Sequence, residues 1–389
     1  MMGWKLKSRS LRPIGLDIGR SSIKMIQLAM NGGRISVIAA DKAPIDSTIN
    51  GDEQTRRSFV VSAVKRMLDE GSFRGRDVIS CLPSDKLKIT SLRLSETGAD
   101  QIEQALRKEV VQRFGLNPEE DVMDYMLAGD VQQGDEVKNE FILLAADNGT
   151  IKSHIEMLEE AELRPVAIDT IPCALFRSFE RTLRRQEDKE RTLLFVDVGS
   201  QFTTVVFGRG GEISFIKQIP IAGEKFNQEI SAKLGVNISE AGMLRDKFRT
   251  DKVPHLPASG LAEAACDGGE QRPDETTRQV IVDAISAVAD ELVKEISLCL
   301  RYYTVTFRGK RVERAIFTGG EAYESILLNV LRRQLTVELE IAQPLRGFDL
   351  SGEGAHVNFD SDRRGLLCEW AVAVGLGLKG WNGANGGKK

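Results

Sequence analysis

Ile14-Gly-Leu-Asp-Ile-Gly-Arg-Ser-Ser-Ile-Lys-Met-Ile26 is answered, 180 residues later, by Leu194-Phe-Val-Asp-Val-Gly-Ser-Gln-Phe-Thr-Thr-Val-Val206. Each stretch reads as an apolar strand ending on an aspartate and a glycine, a short polar turn, and a second apolar strand. Asp17 and Gly19 fall on Asp197 and Gly199. The echo continues, since Gly32-Gly-Arg-Ile-Ser-Val-Ile38 resembles Gly210-Gly-Glu-Ile-Ser-Phe-Ile216, and a Pro-Ile pair follows at Pro44 and at Pro220. A repeat this long predicts a duplicated domain with a cleft between the copies. An aspartate at a strand end is suited to Mg²⁺, through water, because that ion keeps several of its waters. Glycine allows a positive φ or a close backbone approach where a phosphate sits, and exposed N–H groups with the hydroxyls of Ser21, Ser22, Ser200 and Thr203 donate to phosphate oxygens. One Asp-x-Gly is an ordinary hairpin turn; two in matched context point to a phosphate site.

Composition narrows the classes. A net charge of −4 and a pI near 5.7 exclude a dominant nucleic-acid role, which requires a basic patch. The five cysteines, Cys81, Cys173, Cys266, Cys299 and Cys368, are scattered without Cys-x-x-Cys and read as buried thiols of a reducing compartment. The three histidines, His154, His255 and His356, show no ligand spacing, so no His/Cys metal centre is expected. No run of 18 apolar residues and no signal peptide occur, and the expected location is cytoplasmic. The start, Met1 to Arg12, mixes Trp4 and Leu6 with Lys5, Lys7, Arg9 and Arg12; it reads as a frayed terminus or as a weak contact for an anionic membrane surface.

Periodicity sets the organisation. Strands at 13–19, 22–29 and 34–41 are followed by a helix over 52–70, with Phe59, Val60, Ala63, Val64, Met67 and Leu68 at helical spacing, and a strand over 77–83. From Ser84 the pattern changes. Strands at 86–94, 121–130 and 141–146 and helices at 99–114 and 150–162 predict an inserted α+β module over 84–165, on which exposed charge (Arg107, Lys108, Arg113) alternates with apolar positions. Residues 1–83 then form the first part of the first domain, and 166–188 return to it through a helix at 171–183 and a charged hinge. The second domain takes 189–350, with a subdomain at about 223–300; 351–379 are a closing loop and helix, and 380–389 a flexible tail. Within the second domain, strands at 192–197, 202–208 and 212–220 repeat the first copy, helices follow at 224–234 and 239–245, and 250–275 read as a long loop. A long amphipathic helix runs from Thr276 to about Leu300, Arg314 to Gly320 is a strand ending on paired glycines, 337–341 is a strand, 346–363 a loop, and 365–378 a final apolar helix. Paired glycines let a backbone pass close to a flat ligand or make a plain strand–helix turn.

With Asp17-x-Gly19, Asp197-x-Gly199, the connector at 170–183, Thr318-Gly-Gly320 and a glycine-containing closing helix in that order, the chain resembles the actin-like ATPase superfamily. The stretches Gly15 to Lys24, Leu163 to Asp169, Ile219 to Gly223 and Glu369 to Leu378, with the module at 84–165, most resemble the PilM family of type IV pilus assembly proteins, in the FtsA/PilM branch. The likeness covers about residues 13–250 and 276–379. It implies an α/β fold of duplicated actin-like (ribonuclease H-like) domains with an inserted small α+β module. It also implies ATP and Mg²⁺ in the interdomain cleft. Asp17, Gly19, Arg20, Ser21, Ser22 and Lys24 then form the first phosphate loop, and Asp197, Gly199, Ser200 and Thr203 the second. Gly319 and Gly320 lie against the adenosine, Gly223, Glu224 and Asn227 belong to the helix that approaches the nucleoside, and Asp17 and Asp197 face the metal. The implied partner is the cytoplasmic N-terminal peptide of a bitopic inner-membrane protein, PilN, so membrane contact is indirect; self-association stays open. Two departures matter. Thr204 stands where the family carries a further Asp, and Ile171 stands before Pro172 where a Glu is common. Both bear on orienting the attacking water, which implies binding with slow or absent hydrolysis.

Three readings remain open at this level. A nucleotide-binding assembly scaffold is favoured. An FtsA-like division protein requires an amphipathic anchor, whereas 380–389 are rich in Gly, Asn and Lys. A small-metabolite kinase requires a carboxylate to accept a hydroxyl proton, and Asp147, inside the module, is the one candidate.

Overall fold

The computed structural model describes residues 10–31, 34–95, 98–133, 135–180, 191–251, 274–307, 311–350, 356–357, 359 and 366–380. The basic start through residue 9, the charged hinge except Arg191, most of the 250–275 loop and the tail beyond Gly380 lie outside these residues.

The chain opens with β1 (Ser10–Leu11), β2 (Ile14–Ile18), β3 (Ser22–Asn31) and β4 (Arg34–Pro44), then α1 (Glu53–Glu70) and β5 (Asp77–Cys81). Asp52 caps α1 by accepting from the Thr55 N–H, a contact that satisfies one of the free amides of a first turn. The helix buries Val60, Ala63, Val64, Met67 and Leu68 on one stripe. The next elements are β6 (Lys88–Leu94), α2 (Ala99–Glu109), β7 (Val122–Gln133), β8 (Glu136–Ala146) and α3 (Asn148–Glu160), followed by β9 (Arg164–Asp169) and α4 (Ile171–Glu180). The second half holds β10 (Thr192–Val198), β11 (Thr203–Arg209), β12 (Glu212–Ile219), α5 (Gly223–Leu234), α6 (Ile238–Asp251), α7 (Glu275–Thr306), β13 (Val312–Thr318), α8 (Ser325–Gln334) and β14 (Glu338–Ile341). It is followed by β15 (His356–Val357) and α9 (Ala371–Gly377).

The two large sheets share one topology. The first runs β4-β3-β2-β5-β9, with β15 outside β4 and β1 on β3; the second runs β12-β11-β10-β13-β14. In each, two antiparallel hairpins are followed by two parallel strands. The register slips at Gln27/Leu28 in the first copy and at Phe207/Gly208 in the second, the same place in the repeat. A bulge at that point sharpens the local twist.

The two halves meet where α4 and α9 cross. A Cβ on Gly375 would overlap the backbone of Ala174, and one on Gly15 would overlap Ala373 and Gly377, so glycine permits backbone-to-backbone packing here. Four elements differ from the sequence reading. The closing helix starts at Ala371 rather than 365, behind Leu367 in the left-handed region. Helix α7 continues to Thr306 because Tyr303 extends its buried stripe, and α6 continues to Asp251 past the buried Phe248. The expected loop at 346–363 contains a short strand, β15, on the edge of the first sheet.

The inserted segment straddles the halves. Its sheet, β6-β8-β7, carries α2 on one face over Phe141 and Leu143. The opposite face packs on the second half: Ile142 joins Phe195 and Val206, and Val131 joins Phe307. Glu140, 2% exposed, accepts from Arg93 Nε at 2.7 Å and from the Tyr302 hydroxyl of α7 at 2.9 Å. Helix α3 turns the other way. Leu158 packs among the α1 residues, and His154 Nε2 lies 3.1 Å from the Ser80 hydroxyl of β5. Of the charges expected to face solvent, Arg107 pairs with Glu103 and Glu119, and Arg113 with Glu109. No helix among the described residues is long and apolar enough to cross a membrane.

Candidate functional site

The two repeated hairpins face each other across one cavity of about 1590 Å³. In the first, Asp17 is the direct cross-strand neighbour of Lys24; in the second, Asp197 is the neighbour of Thr204. The turns close identically: the Gly19 N–H donates to Ser22 O at 3.0 Å, and the Gly199 N–H to Phe202 O at 3.2 Å. The reason for glycine is close approach. A Cβ would stand 3.1 Å from Ser22 O at Gly19 and 3.2 Å from Phe202 O at Gly199, whereas neither residue has a positive φ.

Asp17, Gly19, Arg20, Ser21, Ser22, Lys24, Asp197, Gly199, Ser200, Gly223, Asn227, Gly319 and Gly320 all line the cavity. Thr203 does not. It is fully buried and its hydroxyl donates to Ile221 O at 2.6 Å, which corrects its reading as a phosphate ligand: the side chain braces the hairpin from its far face. Glu224 is not in the cavity wall either. Its carboxylate accepts from Gln201 Nε2 at 3.2 Å and faces Arg20 Nε at 3.5 Å, joining the rims of the two hairpins. Helix α5 is docked on the second turn through Gly223 N–H to Gly199 O and Glu224 N–H to Ser200 O.

The paired glycines behave differently from each other. Gly319 has φ +91°, and a Cβ there would come 2.7 Å from Asp197 Oδ1, so the turn can press directly on the second hairpin. Gly320 has no atom within 4 Å of its Cβ position and opens to the cavity. Below them sits a buried charge cluster: Arg245 and Arg249 of α6 pair with Glu321, and Arg249 Nε with Glu324 at 2.9 Å. Arg245 also donates to Asn227 Oδ1 and Gly223 O. Burial lowers the Arg245 pKa, against the pull of Glu321. Elsewhere in the wall, Glu369 accepts from Lys42 Nζ at 3.2 Å and from the Tyr323 hydroxyl, linking β4 to the turn after β13. Arg245, Arg249, Glu321, Glu324, Lys42, Glu369 and Tyr323 were not singled out as site residues from sequence; the spacing of Arg245 and Arg249 by one helical turn was the available signal.

Electrostatics separate the two aspartates. Lys24 Nζ donates to Asp17 Oδ2 at 3.1 Å. Burial acts to lower the Lys24 pKa, but Asp17, then Glu369 and Asp197, outweigh it and the net shift is upward. Asp197 accepts no hydrogen bond from the described residues; burial, then repulsion by Asp17, pushes its carboxyl up to about 7. It stays partly open to the cleft. A divalent cation relieves such crowding of hard oxygens, so the donor set fits Mg²⁺. Among the described residues no group of three or more His, Cys, Asp or Glu side chains could hold a metal ion. Thr204 and Ile171 both line the cavity, placing an alcohol and an alkyl group where the resemblance implies carboxylates. Asp147 accepts from the Thr150 N–H at 2.7 Å as the cap of α3, which accounts for it without a kinase role.

The cavity is also lined by Gln54 and Arg57 of α1, by Pro83 and Lys86 of the turn at 82–86, and by Ser153 and Met157 of α3, so it extends into a groove between these three elements.

Comparison with known proteins agrees with this geometry. The cell division protein FtsA of Bacillus subtilis (strain 168) is 20% identical over 358 residues, 85% of this chain and 78% of FtsA. A solved PilM-PilN type IV pilus biogenesis complex superposes with a TM-score of 0.68 at 22% identity, covering 96% of this chain and 98% of that one. The ethanolamine utilization protein EutJ from Carboxydothermus hydrogenoformans superposes at 0.50 with 12% identity, over 95% and 89% of the two chains. The family model described as type IV pilus assembly protein PilM matches residues 15–254. With its duplicated sheets and facing hairpins, this chain has the actin-like ATPase fold and belongs to the PilM family of type IV pilus assembly proteins.

Proposed function

We propose that the chain binds ATP with Mg²⁺ between its hairpins and serves as a cytoplasmic scaffold of type IV pilus assembly. The observation that carries this reading is the convergence of two Asp-x-Gly turns on one cavity. The turns of 19–22 and 199–202 offer backbone N–H groups, Ser21, Ser22, Ser200 and Lys24 to phosphate oxygens, and Asp17 and Asp197 face the ion through water. Gly320 and α5 leave room for the nucleoside. The bound ion would neutralise phosphate charge. With Ile171 and Thr204 in the wall, neither of these positions offers a carboxylate to orient the attacking water, so phosphate release runs well below the ~10 s⁻¹ of a median enzyme.

The scaffold's partner is the N-terminal cytoplasmic tail of a bitopic inner-membrane protein of the PilN kind, which the solved PilM-PilN relative supports. The groove between α1, α3 and the 82–86 turn is its docking place, where Pro83 and Met157 stand among Gln54, Arg57, Lys86 and Ser153, a mixture of side chains that suits an extended peptide. This tether makes membrane contact indirect. Fluorescence anisotropy with a labelled N-terminal peptide of the source organism's PilN-type protein tests it. Ser153→Trp, which fills the groove, should abolish saturable binding; unchanged binding removes the groove from the account.

A further inference from the structure

The cavity that the two hairpins line is also lined by α3 and the 82–86 turn, and Arg56 and Arg57 of α1 both stand in its wall. These consecutive residues in the first turns of α1 bond to different walls of it. Arg56 Nη2 donates to Gly19 O at 2.7 Å, the carbonyl of the first phosphate turn. Arg57 Nε pairs with Glu160 Oε2 at 3.0 Å, and its Nη1 donates to Ser153 O at 3.0 Å, both on α3. Between them α1 is stiff: Val60, Val64 and Met67 pack in the same core as Leu158 of α3. Burial, then the neighbouring cation Arg20, lowers the Arg56 pKa, and Asp85 of the groove turn opposes them.

Resting on the function proposed above, we infer that Arg56 and Arg57 couple the two sites, so that nucleotide on the 19–22 turn resets the position of α3 and the affinity of the groove. A phosphate that engages the N–H groups of this turn re-aims the Gly19 carbonyl, and Arg56 is the group that reads the change. Because α1 and α3 share a core, the displacement is shared with the groove wall rather than absorbed locally. The sheet of the inserted segment is held on the second half by Glu140, Arg93 and Tyr302, and its strand β6 follows directly on the 82–86 turn, so a joint shift of α1 and α3 moves them against this third wall of the groove. Coupling is a ratio of affinities and is reciprocal.

The test measures the Kd of the labelled N-terminal peptide by anisotropy, with and without the magnesium complex of a non-hydrolysable ATP analogue, in the full chain. Wild type should show a change of about tenfold between the two conditions, within the usual range of allosteric coupling. Arg56→Ala and Arg57→Ala should each bring that ratio within about twofold of unity; the ratio is the readout, so a loss of affinity common to both conditions does not count. Retention of the wild-type ratio in both variants, or a ratio of one in wild type with both ligands bound, overturns the inference alone. A wild-type chain that binds no nucleotide analogue by calorimetry overturns the proposed function, and this inference with it.

Discussion

The two hairpins are alike in backbone and opposite in chemistry. Both pair β-strands in the same register, close the turn through the same N–H to carbonyl bond, and slip at the same step. In the first copy the aspartate is neutralised by Lys24; in the second the matching position is Thr204 and the carboxylate stands without a cation of its own. Behind the turns the contrast reverses in size. Gly15 lets α9 lie flush on β2, whereas its counterpart Phe195 fills the same layer with a ring stacked 5.4 Å from Phe179 and edge-on to Phe176. Duplication kept the hydrogen-bonded frame, and each copy then specialised. In one copy the carboxylate is balanced by a buried lysine, and in the other it stays partly open to the cleft.

The largest effects should come from the packing contrast. Gly15→Ala forces a methyl into the α9 backbone and should destabilise the chain by about 3 kcal/mol; Phe195→Ala should cost about 4 kcal/mol by leaving a cavity. Guanidinium unfolding measures both, and a Gly15→Ala loss under 1 kcal/mol would break the claim that α9 packs flush.

Next in size, the aspartates should respond with opposite signs. Asp17→Asn leaves Lys24 buried beside a lost partner and should cost about 3 kcal/mol. Asp197→Asn should stabilise the ligand-free chain by about 1 kcal/mol at pH 8, since it removes a crowded charge. The sign follows from linkage. With its carboxyl raised to about 7 in the folded chain, the native state keeps a proton that the unfolded chain has already lost. Stability from this group therefore falls as pH rises from about 4 to about 7 and is fully lost above. The Asp197→Asn gain should vanish near pH 4, and unfolding midpoints at the two pH values check it.

The smallest effect concerns the link between copies. Arg20 and Glu224 are each about a third exposed, so Arg20→Ala should change stability by no more than ~0.5 kcal/mol. A larger loss would mean that the two rims are locked together before any ligand arrives.

Much of this was legible in the sequence because it depends on short periods. Alternation fixed the hairpins, the α1 stripe appeared at helical spacing, and the repeat gave the second sheet from the first. The misreading of Thr203 was avoidable: side chains alternate across a ladder, and Lys24 beside Asp17 marks Thr204, not Thr203, as sharing the Asp197 face. The charge cluster of Arg245, Arg249, Glu321 and Glu324 was hidden because its partners lie some 75 residues apart, and an Arg pair one turn apart on a helix looks like a solvated face. The bridging place of the inserted segment was hidden for the same reason, as Glu140 meets Tyr302 only in three dimensions.

The central claim, that two unequal hairpins share one metal-nucleotide, is tested most directly by calorimetric titration of Mg-ATP into wild type, Asp17→Asn and Asp197→Asn. The account predicts one site per chain, a loss of at least tenfold in affinity (about 1.4 kcal/mol) in Asp197→Asn, and loss of the magnesium dependence in that variant. Binding of Mg-ATP to Asp197→Asn with wild-type affinity and the same magnesium dependence would contradict it.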